Sequence, residues 1–408
     1  MTAAPRWVPR YLGRAALVAA IAVPLAVAAP AAAAPPPVPT AQGEEAPPIR
    51  VEPAAAQDRS DAAAALVTAM STRERAAAIV MAHTPTTDPG AAADFVAQTG
   101  IAGFILMGAN IGADEAAVRD LTDALTLDAA LPPLIAVDQE GGDVRRLRWD
   151  DFPASTTLKR TDAVATLDAF AARGSLLGRV GIGVNFGVVA DYTDDPGSFI
   201  YRRSLGTDAA GSAERVAAAV EGESPFAAST LKHFPGHGAT PGDSHRVIPA
   251  TDMSLEAWRS GEAVPFREGV AAGAELVMFG HLAYTAVDAA PASLSAAWHD
   301  ILRDELGFTG VAVTDDMAML EASGIPAYAD PVENAIAAVV AGNDLVLGVA
   351  YTTPGRVTAV VDGIVQATES GRIAPERLQE AATRVTALRL ARGGSSGAVP
   401  CGECAPVG

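Results

Sequence analysis

The stretch "KHFPGHGATPGDSH" (232–245) holds three of the chain's six histidines, with one lysine, one aspartate, three glycines and two prolines. Side chains of these types can ligate a metal, cradle a phosphate or move protons. His233 and His237 stand at i,i+4, the spacing that sets two imidazoles on one helical face for a metal. Pro235 and Gly236 fall between them and break such a helix, and the glutamate of a His-Glu-x-x-His site is missing, so no metal is expected. Asp243 and His245 form a different pair. A carboxylate two residues from an imidazole can hold its tautomer and raise its basicity.

Further chemistry follows the apolar runs. "PLIAV" leads into Asp138-Gln139-Glu140-Gly141-Gly142, "NFGVVA" into Asp191 and "STL" into Lys232-His233; "ELVMFG" leads into His281 and "GVAVT" into Asp315-Asp316. A carboxylate ending a buried strand can serve as a nucleophile. Joined to a separate acid/base, it meets the requirement of retaining glycoside hydrolysis; the second group is usually Asp or Glu, so a loop histidine would be a variant. Adjacent strand residues point to opposite faces, so one of Asp315 and Asp316 should face the substrate, and spacing alone does not choose between them. No Gly-x-Gly-x-x-Gly follows the first strand, the chain has no Walker A pattern, and none of the strand candidates leads into a Gly-x-Ser-x-Gly elbow. No cofactor is expected.

These residues converge only if the strands bring their C-terminal ends together. The strand candidates are 101–107, 133–137, 182–188, 229–234, 275–281, 310–316 and 344–349, with an additional one at 77–83. Helical stretches at 116–126, 212–222 and 331–342 separate them, the last opened by Pro331 and stopped by Gly342. "STRE" (71–74) reads as a capping box. Seven or eight alternations over this length predict an α/β fold, a (β/α)8 TIM-like barrel forming a single catalytic domain. An open doubly wound sheet is the alternative. A barrel gathers its strand C-termini on one face, and active sites are built there.

The chain has 408 residues, half of them hydrophobic, and a net charge of −19. That acidity argues against nucleic acid as a partner, since phosphate binding needs clustered Lys and Arg. Arg6, Arg10 and Arg14 precede the apolar run 15–29 and the small-residue run 29–34, which predicts a signal peptide over 1–34, cleaved near Ala34. No cysteine stands directly after the apolar run, so no stable membrane anchor is expected, and the mature protein should be secreted or held in the cell envelope. Residues 35–60 read as a Pro/Ala-rich linker, 61–392 as the catalytic barrel and 393–408 as a flexible tail. Cys401 and Cys404 lie in that tail, peripheral to the fold.

"KHFPGHGATPGDSH", with "DQEGGDVRRL" (138–147) upstream and "VMFGHLAY" (277–284) and "LRDELGFTGVAVTDDM" (302–317) downstream, resembles the β-N-acetylglucosaminidases of glycoside hydrolase family 3. The resemblance spans about residues 62–392. It implies a retaining mechanism through a covalent glycosyl-enzyme intermediate, with Asp315 as nucleophile, His245 as acid/base and Asp243 as its dyad partner. It also implies sugar-binding roles for Asp138, Arg146, Arg203, Lys232 and His233. The chain departs from the family pattern at Asp143, at Leu205 and around Asp191, whose role is as readily structural as functional. His237 and His281 are expected to shape the loop or pocket wall, and Glu140 to brace the Gly-Gly turn. Trp149, Trp258 and Trp298 are expected in the core rather than as sugar platforms.

The expected activity is hydrolysis of terminal β-linked N-acetylglucosamine from peptidoglycan fragments (muropeptides) or chitooligosaccharides by a monomer. Two alternatives use the same residues. One is a phosphorylase, in which phosphate attacks the intermediate; the other is a non-catalytic sugar-binding envelope protein.

Overall fold

The computed structural model describes residues 53–393. The expected signal peptide, most of the linker, nearly all of the tail and both cysteines lie outside the described residues. Eight parallel strands follow one another around a ring: β1 (Val80–Ala82), β2 (Gly103–Leu106), β3 (Leu134–Val137), β4 (Val184–Val189), β5 (Ala228–Phe234), β6 (Leu276–Phe279), β7 (Val311–Thr314) and β8 (Val346–Leu347). β8 pairs with β1 through Val80–Val346 and Met81–Leu347, and a parallel bridge between Val313 and Leu345 joins β7 to the last turn of the ring. The sequential order and this closure make the domain a (β/α)8 barrel and exclude the open doubly wound sheet.

All eight expected strands form, with ends that differ from those of the apolar runs by up to three residues. Every residue of these strands is buried, because helices cover the outside and side chains fill the inside. The helix Glu115–Leu125 shows how the cover is made. Val118, Leu121, Thr122 and Leu125 recur on one face and are buried, and the Asp114 side chain caps the start by accepting from the Ala117 N–H. The Ser71–Glu74 capping box is present at the helix Thr72–Ala78.

One boundary differs from expectation. A helix runs over Pro53–Ala69, so residues 53–60 of the expected linker are helical. Pro53 suits a first helical position and the segment is alanine-rich, but it carries almost no apolar stripe for a period to reveal. Among the described residues, no helix is long and apolar enough to cross a membrane.

The end of β5 is anchored by aromatics. Phe234 meets Trp258, Phe266, Phe279 and Trp298 edge-on at centroid distances of 5.9, 5.3, 5.0 and 5.8 Å. Trp258 and Trp298 are fully buried in this cluster, and Trp149 packs half-buried against the barrel core. The Trp258 indole N–H donates to the Pro235 carbonyl at 2.7 Å, and the Tyr284 hydroxyl donates to the Gly236 carbonyl at 2.6 Å. The backbone that leaves β5 is therefore fixed before it enters the glycine-rich loop.

Candidate active site

The residues that follow the strands collect at the C-terminal mouth of the barrel. The turn after β3 begins the site. Gly141 and Gly142 have φ of 83° and 67°, and a Cβ on Gly141 would meet the Arg173 guanidinium at 2.3 Å. Gln139, fully buried, accepts from the N–H groups of Arg146 and Leu147 at 2.8 and 3.0 Å and donates to Asp150 at 2.7 Å. This folds the chain back so that the Arg146 guanidinium donates to Asp138 at 3.0 Å.

Lys232, on β5, is 2% exposed and reaches across the barrel. Its ammonium lies 3.1 Å from Asp138 and 2.7 Å from Glu140. Arg203 grips Glu140 with two hydrogen bonds at 3.0 and 2.7 Å, and its second Nη lies 3.2 Å from His233 Nε2. Burial opposes ionisation of Glu140, but Arg203 and then Lys232 outweigh it and hold the carboxyl at about 2. Asp138 sits below its ordinary value for the same reason, with burial outweighed by Lys232 and Arg146. Glu140 thus does more than brace the Gly-Gly turn: it is the shared counter-ion of Arg203 and Lys232. The signal for this was its position two residues after Asp138, the spacing that returns side chains to one side of an extended chain. At the rim, Arg202 pairs with Asp143 at 2.9 Å, which accounts for an acid at that departing position. Leu205, the other departure, is buried in the aromatic core.

Asp191, fully buried after β4, accepts from the backbone N–H groups of His233 and His237 at 3.1 and 2.6 Å and from His233 Nδ1 at 2.6 Å. Every partner is a donor, so the carboxylate fixes the protonated nitrogen of His233 as Nδ1 and leaves Nε2 to accept from Arg203. Burial, then Arg203, pushes His233 well below its ordinary value, so it is a neutral imidazole at pH 7. Asp191 is the clamp for the start of the loop. His237 is buried, with its ring edge-on to Phe199 at 4.6 Å. Among the described residues no group of three His, Cys, Asp or Glu side chains is placed to hold a metal ion.

The Asp315–Asp316 pair at the end of β7 is divided by geometry. The Asp316 carboxylate accepts from the N–H groups of Ala318, Val349 and Ala350 at 3.2, 2.9 and 3.1 Å. Among the described residues, the Asp315 carboxylate accepts only from the Asp316 N–H, at 2.8 Å. Asp315 therefore keeps lone pairs for a substrate. Burial would raise its pKa, but His233, His281, the Asp316 N–H and Lys232 outweigh this and keep it below the ordinary value. His233 and His281 are themselves held neutral by burial, so the Lys232 charge and the N–H are the partners that persist at pH 7. His281, after β6, donates from Nε2 to the Asp316 carbonyl at 3.0 Å and accepts at Nδ1 from the Ser293 hydroxyl at 2.7 Å. It steadies the backbone of the acidic pair.

The Asp243–His245 pair is assembled on its loop, Nδ1 to Oδ1 at 2.6 Å, with the His245 side chain 62% exposed. Burial raises the Asp243 pKa, but the His245 hydrogen bond outweighs it and lowers the carboxyl. Among the described residues no hydrogen bond or ion pair joins this dyad to the strand-end cluster. The structure thus brings together Asp138, Arg146, Arg203, Lys232 and His233, with Asp315 within electrostatic reach, and sets the dyad apart on an open loop.

Glu262, missed by sequence reasoning, lies under the start of that loop. It is 4% exposed, and its Oε2 has no hydrogen-bond partner among the described residues. A Cβ on Gly236, whose φ is 130°, would meet this oxygen at 2.7 Å. Burial, then the nearby Asp191 charge, raises the carboxyl to about 8. Because its folded pKa lies above the unfolded value of 4.5, the native state binds the extra proton, and stability falls as pH rises from about 4.5 through 8. In urea unfolding at pH 5 and pH 9, Glu262→Gln is expected to shrink the loss of stability between the two by about 4 kcal/mol. An unchanged loss would refute the neutral acid.

Comparison with known proteins agrees with this architecture. The profile of the glycosyl hydrolase family 3 N terminal domain matches residues 71–388. A beta-hexosaminidase of Stenotrophomonas maltophilia (strain K279a) is 37% identical over 249 residues, covering 57% of this chain and 73% of that protein. An uncharacterized secreted glycosyl hydrolase of Arthroderma benhamiae is 30% identical over 309 residues, covering 71% of this chain and 84% of that protein. Among solved structures, a glycoside hydrolase family 3 beta-N-acetylglucosaminidase from Paenibacillus sp. str. FPU-7 superposes with a TM-score of 0.74 at 35% identity; the match covers 79% of this chain and 63% of that one. With that match over residues 71–388 and a barrel of matching form, the chain belongs to glycosyl hydrolase family 3.

Proposed function

We propose that the protein is an exo-acting, retaining β-N-acetylglucosaminidase that removes terminal β-linked N-acetylglucosamine through a covalent intermediate on Asp315. The observation that carries this reading is the contrast at the end of β7: Asp316 is spent on three backbone N–H groups, whereas Asp315 keeps a carboxylate with one. The buried mesh of Asp138, Arg146, Arg203, Lys232 and His233 supplies donors and acceptors for the hydroxyls of one terminal sugar. The relatives named beta-hexosaminidase and beta-N-acetylglucosaminidase support the substrate class.

In this reading the Asp315 carboxylate attacks the anomeric carbon while His245 gives its Nε2 proton to the departing glycosidic oxygen. Asp243 holds the His245 Nδ1 proton and steadies the imidazolium. His245 then takes a proton from water, whose oxygen displaces Asp315 and restores the β configuration. The dyad acts from its loop, whose glycines let it swing over the bound sugar. We place the reaction outside the cytoplasm, on peptidoglycan fragments or chitooligosaccharides. The basic-then-apolar sequence of residues 1–34 and the relative described as secreted support that placement.

The test is the p-nitrophenyl β-N-acetylglucosaminide, run beside the glucoside and the N-acetylgalactosaminide, with the first-formed anomer read by NMR. Preference for the N-acetylglucosaminide with β product is expected. An α product, or sugar 1-phosphate released in phosphate buffer, would displace the reading.

A further inference from the structure

The loop after β8 carries an exposed aromatic for which the reaction as described has no use. Tyr351 is 72% exposed, and its φ of 57° is the one positive value at a non-glycine position among the described residues. A bulky side chain in the left-handed region costs on the order of 1 kcal/mol or more, so the surrounding contacts must hold it there. They do so from both sides. The Asp316 carboxylate clamps the N–H groups of Val349 and Ala350, and the Thr352 hydroxyl donates to the His83 carbonyl at 2.6 Å. One clamp belongs to the neighbour of Asp315, which places the Tyr351 Cα within about 9 Å of the Asp316 carboxylate by backbone dimensions. A lone surface aromatic needs no explanation; one held in a strained backbone and tied to the acidic pair at the mouth does.

The order of the strands says what stands beside it. The sugar-binding mesh is built on β3, β5 and the loop after β4, and Asp315 ends β7. In a ring of eight, β8 stands opposite β4. C1 and C4 are opposite ends of a pyranose. A sugar whose far hydroxyls are held at β3–β5 therefore turns its C1 substituent toward β8 and β1. The substituent leaves the buried mesh for the open rim, where the exposed ring of Tyr351 stands.

We propose that Tyr351 is the stacking platform of a subsite for the leaving-group sugar, binding the apolar face of a β-linked pyranose next to the scissile bond. The proposal rests on the hydrolase reading above. It makes Tyr351 a residue that favours oligosaccharides over simple glycosides, without touching the reacting atoms.

Two substrates with the same N-acetylglucosaminyl group separate the roles: chitotriose, whose leaving group is a sugar, and β-N-acetylglucosaminyl fluoride, whose leaving group has no ring. Tyr351→Ala is expected to lower kcat/KM for chitotriose by roughly five- to tenfold, the scale of one aromatic stacking contact, and to leave the fluoride within about twofold. Tyr351→Phe and Tyr351→Trp should keep chitotriose near wild type, because the ring face is retained. Equal losses on both substrates, or an undiminished rate on chitotriose in Tyr351→Ala, would overturn the subsite while leaving the hydrolase reading intact. A wild-type protein that cleaves neither substrate would overturn the hydrolase reading and the subsite together.

Discussion

Replacing Asp315 by asparagine is expected to lower kcat for p-nitrophenyl β-N-acetylglucosaminide by roughly 10⁴-fold or more, the scale seen when a covalent nucleophile is removed. The substitution keeps the side-chain oxygen that accepts the Asp316 N–H at 2.8 Å, so the fold should be undisturbed and the melting temperature close to wild type. The charge is what is lost, and with it the bond to the anomeric carbon. A second variant distinguishes a nucleophile from a general acid. In Asp315→Ala, added azide occupies the vacated space and attacks from the same face. It should restore turnover and yield the α-glycosyl azide. A β azide would instead mark Asp315 as the acid/base, and an Asp315→Asn enzyme retaining a tenth of wild-type kcat would remove it from the mechanism. Asp316→Asn should behave differently. Its three N–H contacts hold the loops after β7 and β8, so its loss should appear in stability as well as rate.

Replacing His245 by alanine should cost about 10²–10⁴-fold in kcat/KM, the usual contribution of a positioned acid/base. The size should depend on the leaving group. Chitobiose, whose departing alkoxide needs a proton, should suffer most; a dinitrophenyl glycoside, which leaves unaided, should suffer least in the first step. Deglycosylation still lacks its base, so kcat on the activated substrate should fall while KM falls with it. The His245 side chain is 62% exposed, so the change should leave stability within about 0.5 kcal/mol. A merely structural histidine would show the reverse pattern, with a lower melting temperature and a loss independent of leaving group. Full activity of His245→Ala would sink the dyad.

The barrel was legible because parallel strands covered on both faces read as short unbroken apolar runs, and all eight appear close to where they were expected. The first helix was not, since an alanine-rich segment with no apolar stripe gives no period to detect. The Asp243–His245 contact was legible because it is local, two residues apart on a turn. Glu140 and Asp191 were misjudged or left open for the opposite reason. Their partners lie far along the chain: Arg203 is 63 residues from Glu140, and His233 is 42 from Asp191.

The sequence by itself determined which residue types end which strands, and therefore which side chains would meet if the strands closed into a ring. It also determined the dyad, whose geometry is set by a few bonds of backbone. Only the tertiary structure decided the charge states and the division of labour. Lys232 meets Asp138 across 94 residues, Glu262 stays protonated beneath a glycine, and Asp316 is consumed by the loops while Asp315 is spared. Each of these depends on burial and on partners supplied by other strands. Desolvation and long-range hydrogen bonding exist only once the barrel has closed, so no local pattern encodes them.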